Sequence, residues 1–249
     1  MKQKFMNTFI DNLTMEEAIN ELDDFIKNNN KGYVVTPNVD HIVKLEKDTK
    51  LQKVYENASF IFADGKPLIT ISKKYKTPLK EKISGSDLFP LLCERAAQKE
   101  YTMYFLGASE GVAKKAAENL TKKYPSLNVV GCLSPKFGFE DDQEYVDQMI
   151  NDINSLKPDI LVVGLGCPKQ EYFMYDYYQK LDTKLSLGLG ASLDFEAGNI
   201  KRAPKWMQRV GLEWFYRFLK EPKRMFKRYF VDDFKIFKLY RKDKPKKEK

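Results

Sequence analysis

The stretch KPDILVVGLGCPKQE, residues 157–171, decides the fold class of this sequence. Its apolar run at 159–163 is short and rich in β-branched residues, which predicts a strand buried on both faces of a sheet. Gly164 and Gly166 then allow the backbone to turn sharply or to approach a ligand closely, and Pro168 presets φ for a first helical turn. An ordinary strand-to-helix turn that happens to carry glycines explains the same residues equally well.

A functional interpretation of this stretch depends on where the strand ends. Ligands of open α/β sheets bind at the carboxyl ends of the strands, and a helix N-terminus there favours an anion such as a diphosphate. Lys169, Gln170 and Glu171 fall at that end, where side chains and free N–H groups point away from the strand. These residues are therefore candidates for binding a ligand.

Strand and helix patterns alternate through the first 198 residues. Strands are predicted at 33–36, 59–63, 102–106, 127–131, 159–163 and 184–188, with helical patterns between them. Thr14 and Glu17 form a capping box that begins a helix, Asn38 can cap the helix after the first predicted strand, and Ser86 can cap another. Alternation at this spacing predicts an α/β fold with a Rossmann-like, mostly parallel sheet flanked by helices. The sequence does not specify the order of the strands in the sheet.

The pattern changes after Gly198. Two helices are predicted at 203–219 and 223–241, with no strand between them. Residues 199–249 carry 18 Lys and Arg against 6 Asp and Glu, a net charge of +12, whereas residues 1–198 carry 25 against 29, a net charge of −4. We therefore expect an α/β catalytic body at 1–198 and a basic helical appendage at 199–249, with different partners.

The second appendage helix is amphipathic. At 100° per residue, aromatic side chains share one arc and basic side chains share the other. The aromatic arc holds Phe226, Tyr229, Phe230, Phe234, Phe237 and Tyr240, and the basic arc holds Lys227, Arg228, Lys235, Lys238 and Lys242. Such a helix suits the surface of an anionic membrane. The alternative is a helix that packs its aromatic face on the body and leaves its basic face in solvent.

Composition excludes several protein classes. The three cysteines, Cys93, Cys132 and Cys167, are odd in number and form no C-x-x-C motif or Cys/His cluster, which favours reduced thiols in the cytoplasm over disulfides or a zinc site. No apolar run approaches the roughly 20 residues that span a bilayer. The N-terminal residues lack the apolar core of a signal peptide.

Asp64 is the best candidate for a general base. It follows a predicted strand, and Gly65 allows a substrate to come close, while burial would raise the carboxyl pKa toward a useful range. An aspartate that simply caps the turn before Pro67 is the alternative. Thr36 and Asn38, at the end of the preceding strand, offer a hydroxyl and an amide to a sugar or phosphate. 

The other catalytic motifs are missing from the sequence. His41, the one histidine, is expected at the surface or in a helix cap, and no Ser–His or Cys–His arrangement is evident. The G-x-G pairs at 164–166 and 188–190 lack the third glycine of the dinucleotide fingerprint, and no phosphate-binding P-loop motif occurs. Without an Asp-x-Asp, no metal or other cofactor is predicted, and backbone N–H groups with Lys or Arg would meet the charge of a diphosphate.

Several motifs occur in one order that resembles glycosyltransferase family 26, the WecG/TagA/CpsF type. They are Thr36-Pro37-Asn38, Ala63-Asp64-Gly65, Ser84-Gly85-Ser86-Asp87-Leu88, Phe105-Leu106-Gly107, the run from Val163 to Glu171, Lys201-Arg202-Ala203-Pro204-Lys205-Trp206, Gly211-Leu212-Glu213-Trp214 and Glu221-Pro222-Lys223-Arg224. The resemblance covers about residues 36–228, nearly the whole chain.

The resemblance implies a GT-E-like enzyme at the inner membrane face that inverts the anomeric centre without a metal. Such enzymes transfer N-acetylmannosamine, or its uronic acid, from a UDP-sugar to polyprenyl-diphosphate-linked N-acetylglucosamine, as in teichoic-acid linkage-unit synthesis. It implies Asp64, Thr36 and Asn38 as catalytic residues. The implied substrate-binding residues are Gly65, Gly85, Ser86, Asp87, Gly107, Gly164, Gly166, Pro168, Lys169, Gln170, Glu171, Lys201, Arg202, Arg217 and Arg224.

Two departures leave the sugars open. Lys66-Pro67 follow Asp64-Gly65 where the mannosaminyltransferase branch has small or apolar residues, and Cys167 stands where other small residues are common. A different donor, such as the uronic acid or UDP-glucose for an exopolysaccharide, is therefore an alternative.

The competing class is a non-enzymatic binder of anionic lipid or nucleic acid. Nucleic acid fits poorly, because single-strand binders interleave aromatic and cationic side chains on one surface, whereas here they lie on opposite arcs. A homo-oligomer remains open, since the sequence does not specify the oligomeric state.

Overall fold

A computed structural model describes residues 2–243, except for the side chains of Arg224, Arg228 and Val231. The strands are β1 (Lys2–Phe5), β2 (Thr8–Asp11), β3 (Gly32–Val35), β4 (Phe60–Ile61), β5 (Thr102–Gly107), β6 (Asn128–Leu133), β7 (Ile160–Gly164) and β8 (Leu185–Gly188). β3 to β8 form a parallel sheet in the order β4-β3-β8-β7-β5-β6. All six strands predicted from the sequence are confirmed.

Helices connect these strands and cover both faces of the sheet. They are α1 (Met15–Lys27), α2 (Val39–Lys44), α3 (Thr49–Asn57), α4 (Lys66–Ser72), α5 (Gly85–Lys99), α6 (Val112–Lys123), α7 (Gln143–Leu156), α8 (Lys169–Tyr177), α9 (Ser192–Ala197), α10 (Lys205–Val210), α11 (Glu213–Lys220), α12 (Pro222–Phe226) and α13 (Ile236–Asp243).

Strand β7 shows why the sheet is central. Ile160 and Val162 point into the apolar cluster formed with α1, α5, α6 and α9. Leu161 and Val163 point into the opposite cluster, formed with α2, α3, α7, α8 and α13. All four side chains are fully buried, which explains the unbroken apolar run. The predicted α/β architecture is confirmed.

An N-terminal hairpin was not predicted. β1 pairs with β2 in an antiparallel register that places Lys2 opposite Asp11. Its Phe5 and Ile10 are fully buried in the core, and Asp11 Oδ2 accepts a hydrogen bond from Ile61 N at 2.8 Å. Each strand has only four residues, KQKF and TFID, which is too short a pattern to identify from sequence.

Helix starts follow local capping. The Thr14–Glu17 capping box is confirmed, with Glu17 N donating to Thr14 Oγ1 at 3.2 Å and Thr14 N donating to Glu17 Oε2 at 2.8 Å. The predicted cap of α5 at Ser86 is wrong. Ser84 holds that position, because its carbonyl oxygen already accepts the first helical hydrogen bond, from Leu88 N at 2.9 Å.

The appendage differs from its prediction in two places. The helix expected at 203–219 is divided at Gly211, whose φ of 82° ends α10; a Cβ there would lie 2.9 Å from Lys66 Cγ. The helix expected at 223–241 changes its winding between α12 and α13, with a π-helical turn at Lys227–Asp232 and a 3-10 turn at Asp233–Lys235. These turns shift the helical register, so a uniform 100° projection does not describe the whole of this segment.

Aromatic side chains of the appendage lie at its surface. Phe226, Phe230, Phe234 and Phe237 are 45–61% exposed, whereas the buried side chains are Met225, Ile236 and Leu239. The alternative in which the aromatic face packs on the body is therefore wrong for these four phenylalanines. Within residues 2–243, no helix combines the length and the apolar character that crossing a membrane requires.

The turn after β5 approaches β7 more closely than any side chain would allow. Gly107 has a φ of 116°, and a Cβ there would lie 2.5 Å from Gly164 O. Ala108 N donates to the same oxygen at 2.9 Å, which holds the two strand ends together. Gly111 offers a contrast, since its φ of 77° is also positive but no atom lies within 4 Å of its Cβ position.

We expect Gly107→Ala to destabilise the protein much more than Gly111→Ala. The Gly111 variant bears only the backbone strain of about 1 kcal/mol, whereas the Gly107 variant adds a clash that brings the loss to roughly 3 kcal/mol. Urea unfolding followed by circular dichroism measures both. Equal losses would mean that β7 moves away without cost and that the contact does not constrain the sheet.

Candidate active site

A cavity of about 390 Å³ opens at the carboxyl ends of β3 and β4, and the appendage forms its roof. Its body side is lined by Asn38, Val39, Asp64, Gly65, Lys66, Pro67, Lys82, Ser84 and Ser86. Its appendage side is lined by Gln208, Gly211, Glu213, Trp214, Arg217, Tyr229, Phe230, Asp233, Phe234, Ile236 and Phe237. The aromatic side chains of the cavity therefore lie on the roof, whereas polar and charged side chains lie on both sides.

Asp64 lies on the cavity floor. Asp64 N donates to Pro37 O at 2.8 Å, and Ile83 N donates to Ala63 O at 2.9 Å, so the turn after β4 is held from both sides. Among the described side chains, none forms a hydrogen bond or ion pair with the Asp64 carboxylate. Burial raises the pKa of Asp64, although Lys82 and Arg217 act to lower it. This combination suits a general base.

Asn38 and Thr36 end β3 beside Asp64 but face different surroundings. Asn38 Oδ1 accepts a hydrogen bond from Asp40 N at 3.1 Å, which confirms the predicted cap of α2, and its side chain lines the cavity. Thr36 is buried, and its Oγ1 donates to Gly188 O at 3.1 Å. Thr36 thus joins β3 to β8 and is not among the cavity residues.

Asp87 fastens the appendage to the body. Its Oδ2 accepts hydrogen bonds from Lys82 Nζ and Ser84 Oγ, both at 2.6 Å, and its Oδ1 accepts one from Arg202 at 2.8 Å. Burial opposes ionisation of this carboxyl, but these partners outweigh it and lower the pKa of Asp87 to about 2. Arg202 also lies 3.5 Å from Glu213 Oε1. Asp87 and Arg202 therefore pair with each other, beside the cavity.

Of the other predicted cations, Arg217 reaches the site. It lines the cavity, and its guanidinium lies 5.2 Å from the centre of the Phe195 ring. Lys201 is exposed on the loop before α10. The side chain of Arg224 lies outside the described part of the chain.

The predicted glycines divide between the cavity and the sheet. Gly65 lines the cavity with a φ of 105°. Gly85 begins α5, where a Cβ would lie 3.2 Å from Leu189 O. Gly107 and Gly164 meet between β5 and β7, as described above, and Gly166 forms the turn before α8 with a φ of 76°. The last four glycines are not among the residues that line the cavity. 

The stretch at 168–171 does not line the cavity. Lys169 forms an ion pair with Glu140, and Pro168 lies in a separate groove with lysines of α2 and α13. Gln170 and Glu171 are buried, at 3% and 0% exposure. Strand geometry correctly predicted their place at the sheet edge, but not the direction of their side chains.

His41 is buried at 6% exposure, so its predicted surface position is wrong, although it does belong to the cap of α2. The fold also brings it near Cys167, which the sequence did not indicate. Ligand atoms of Asp40, His41 and Cys167 lie within 4.8 Å of one another. However, both His41 nitrogens face hydrogen-bond partners, and Lys44 Nζ lies 2.8 Å from Asp40 Oδ2, so these residues do not fit a cation.

Several cavity residues were not identified from the sequence. Lys82, Ser84, Glu213 and Trp214 line the cavity without an assigned role. Ser84, Glu213 and Trp214 stood within the motifs of the resemblance, and Lys82 lies two residues before one. The sequence signal that could have identified these four residues is their position within or next to a motif.

Comparison with known proteins identifies the family of this chain. The model of the Glycosyl transferase WecG/TagA/CpsF family matches residues 3–249. An N-acetylglucosaminyldiphosphoundecaprenol N-acetyl-beta-D-mannosaminyltransferase of Bacillus spizizenii (strain ATCC 23059 / NRRL B-14472 / W23) is 32% identical over 217 residues, which cover 87% of this chain and 82% of the relative. A protein of the same name from Bacillus subtilis (strain 168) is 34% identical over 176 residues, covering 71% and 66%. The chain therefore belongs to the WecG/TagA/CpsF family of glycosyltransferases.

Proposed function

We propose that this protein is an inverting, metal-independent transferase that moves N-acetylmannosamine from a UDP-sugar to polyprenyl-diphosphate-linked N-acetylglucosamine. The observation that carries the proposal is the Asp64 carboxylate, which lies in the cavity with a pKa that burial raises. The names of the two Bacillus relatives support the choice of sugars and of the lipid diphosphate.

The reaction needs one base and a stabilised leaving group. Asp64 takes the proton of the attacking acceptor hydroxyl as that oxygen bonds to the anomeric carbon of the donor. The bond from this carbon to the diphosphate oxygen breaks on the opposite side, and its electron pair leaves with UDP, which inverts the anomeric centre. Lys66, Lys82 and Arg217 bring positive charge to the cavity and would stabilise the departing diphosphate.

A uronic acid donor is the second candidate. Lys66 lines the cavity directly after Asp64-Gly65, and an ammonium group there can pair with a sugar carboxylate. A turnover screen of UDP-sugars with a polyprenyl-diphosphate-N-acetylglucosamine analogue separates the two donors. Preference for the uronic acid that disappears in Lys66→Ala would favour the second candidate.

The two regions have separate tasks in this proposal. The body at 1–198 holds the base, and the appendage at 199–249 closes the cavity and meets the inner membrane face, where a polyprenyl chain is anchored. Exposed phenylalanines and a basic composition support the second task, since aromatic rings enter the lipid interface and cations attract anionic headgroups.

We expect Asp64→Asn to lower kcat by about 10²-fold or more, because general-base catalysis contributes 10²–10⁴-fold. The affinity for UDP should change little, since the base acts on the acceptor hydroxyl. Steady-state kinetics and UDP titration calorimetry measure the two effects. Near wild-type turnover would remove Asp64 from the mechanism.

Two controls separate chemistry from folding. Asp194 is another aspartate whose carboxyl pKa is raised by burial, and it lies outside the cavity. The Asp194→Asn variant should therefore keep wild-type turnover. Asp64→Asn should itself melt no lower than the wild type at pH 7. A carboxyl with a raised folded-state pKa destabilises the folded state above the unfolded-state pKa of about 4, and the amide removes that effect.

Activity should survive excess EDTA, because side-chain cations can neutralise the diphosphate. Initial rates with EDTA, Mg²⁺ and Mn²⁺ test this. Arg217→Met is the companion variant, and it should raise the KM for the donor roughly tenfold through loss of a charged hydrogen bond. A clear requirement for either ion would contradict the proposed neutralisation.

Leu219→Ser with Phe226→Ser should weaken binding to anionic liposomes severalfold while sparing turnover of a short-chain acceptor in detergent. Both side chains are exposed, at 60% and 56%, and neither lines the cavity. Phe137→Ser, at a fully exposed phenylalanine of the body, is the matched control and should bind liposomes normally. Liposome co-sedimentation and melting curves measure the outcome.

Unchanged liposome binding by the double variant would place the membrane contact elsewhere. A much lower melting temperature would show instead that these side chains stabilise the appendage.

A further inference from the structure

A chain of buried polar groups runs behind the cavity from the end of β8 to Asn38. Gly190 N donates to Gln170 Oε1 at 3.0 Å, and Gln170 Nε2 donates to Glu171 Oε1 at 2.8 Å. The same carboxylate oxygen lies 3.2 Å from His41 Nε2, while His41 Nδ1 lies 2.9 Å from Asn38 Oδ1. Of these residues, Asn38 alone lines the cavity.

The contacts determine where the protons lie. Asn38 Oδ1 accepts from Asp40 N, and Glu171 Oε1 accepts from Gln170, so each ring nitrogen of His41 faces an oxygen acceptor. Both nitrogens must then donate, which makes the ring an imidazolium. The competing contact, from Asn38 N to Nδ1 of a neutral ring, is longer, at 3.4 Å.

The surrounding charge agrees with an imidazolium. Burial alone lowers the pKa of His41, but the Cys167 sulfur and the Glu171 carboxylate outweigh it and raise the pKa to about 10. Glu171 is fully buried, and its Oε2 has no hydrogen-bond partner within residues 2–243, so His41 is the counter-charge that its burial requires. The titratable groups around this pair in the described structure are Asp40, Lys44, Tyr55, Asp64, Cys167 and Tyr172.

The end of β8 leaves room for this chain of groups. A Cβ at Gly188 would lie 3.0 Å from Gln170 Nε2 and 2.8 Å from Met174 Cε. A side chain at this position would crowd the ends of the Gln170 and Met174 side chains. Glycine at position 188 therefore leaves the space that the Gln170 amide occupies.

We propose that the buried His41–Glu171 ion pair is a positioning device that fixes the amide of Asn38 for the sugar-transfer reaction. Holding Oδ1 inside the protein means that any hydrogen bond from Asn38 to a substrate comes from its NH₂ group, which suits a hydroxyl, N-acetyl carbonyl or diphosphate oxygen next to Asp64. His41 and Glu171 touch no substrate and act through Asn38. The inference rests on the proposed function, because Asn38 is taken to bind substrate.

A rigid amide matters because an asparagine side chain can rotate to present either oxygen or nitrogen. Without a fixed partner, a substrate would have to select one orientation and bear the loss of rotational freedom itself. The ion pair makes that selection before the substrate arrives. This gives a role to Gln170 and Glu171, which lie at the sheet edge but not in the cavity.

A double-mutant cycle tests the coupling. Asn38→Ala and the isosteric Glu171→Gln should each lower kcat/KM by roughly tenfold, the effect of one charge-assisted hydrogen bond. Both should change the same parameter, either kcat or the KM of one substrate. The double variant should be no worse than Asn38→Ala, because Glu171 then has nothing left to position. Losses that multiply would overturn the proposal.

Tyr33→Phe is the matched structural control. Its buried hydroxyl donates to Val54 O at 2.5 Å, and neither residue lines the cavity. This variant should melt lower yet keep kcat/KM and both KM values. If Glu171→Gln behaves the same way, the ion pair is structural only and the positioning role is wrong.

Nitrogen NMR of the one histidine provides a readout that needs no substrate. Both His41 nitrogens should be protonated at pH 8 in the wild type, and Glu171→Gln should lower the titration midpoint by at least one pH unit. A neutral wild-type ring at pH 8 would overturn the hydrogen-bond pattern. This measurement does not depend on turnover. It therefore tests the hydrogen-bond pattern of His41 even if the proposed donor or acceptor is wrong.

Discussion

Burial of the parallel sheet on both faces is the constraint from which the site follows. The strands β3, β5 and β7 contribute buried side chains to both apolar clusters, so polar chemistry is largely confined to the ends of the strands. Parallel pairing brings all the carboxyl ends to one edge. Asp64 and Asn38 become neighbours there because β4 pairs with β3, although 26 positions separate them in the sequence.

Ionic contacts then determine the shape of the cavity. Asp87 gathers Lys82, Ser84 and Arg202, and Arg202 continues to Glu213, so the body and the first appendage helices are joined by one network of charges. These partners are partly buried, where a lost partner leaves an uncompensated charge. The network joins the roof to the floor on which Asp64 lies, and burial raises the pKa of that carboxyl.

The same packing explains the surface of the appendage. Ile236 and Leu239 join the core cluster on one face of the sheet, which orients α13 and leaves Phe234 and Phe237 directed outward. Aromatic rings are thereby placed at the mouth of the cavity. The apolar chain of a lipid-linked acceptor would meet the apolar entrance, and its charged diphosphate would meet the charged floor.

Local patterns in the sequence were sufficient to locate the six strands and the capping box at Thr14, and they singled out Asp64, which the fold places in the cavity. Each of these depends on residues within a few positions of one another, through side-chain periodicity, turn chemistry or capping. Asn38 was also found this way, because it both ends a strand and caps a helix.

Tertiary structure alone decided which side chains meet. His41 and Glu171 are 130 residues apart, and Lys82 reaches Glu213 only through Asp87 and Arg202, so no local pattern reports either contact. One continuous helix was predicted at 223–241, but π and 3-10 turns break the 100° period on which that projection relied. Sequence periodicity describes one element at a time, whereas burial and pKa depend on every element that packs around a group.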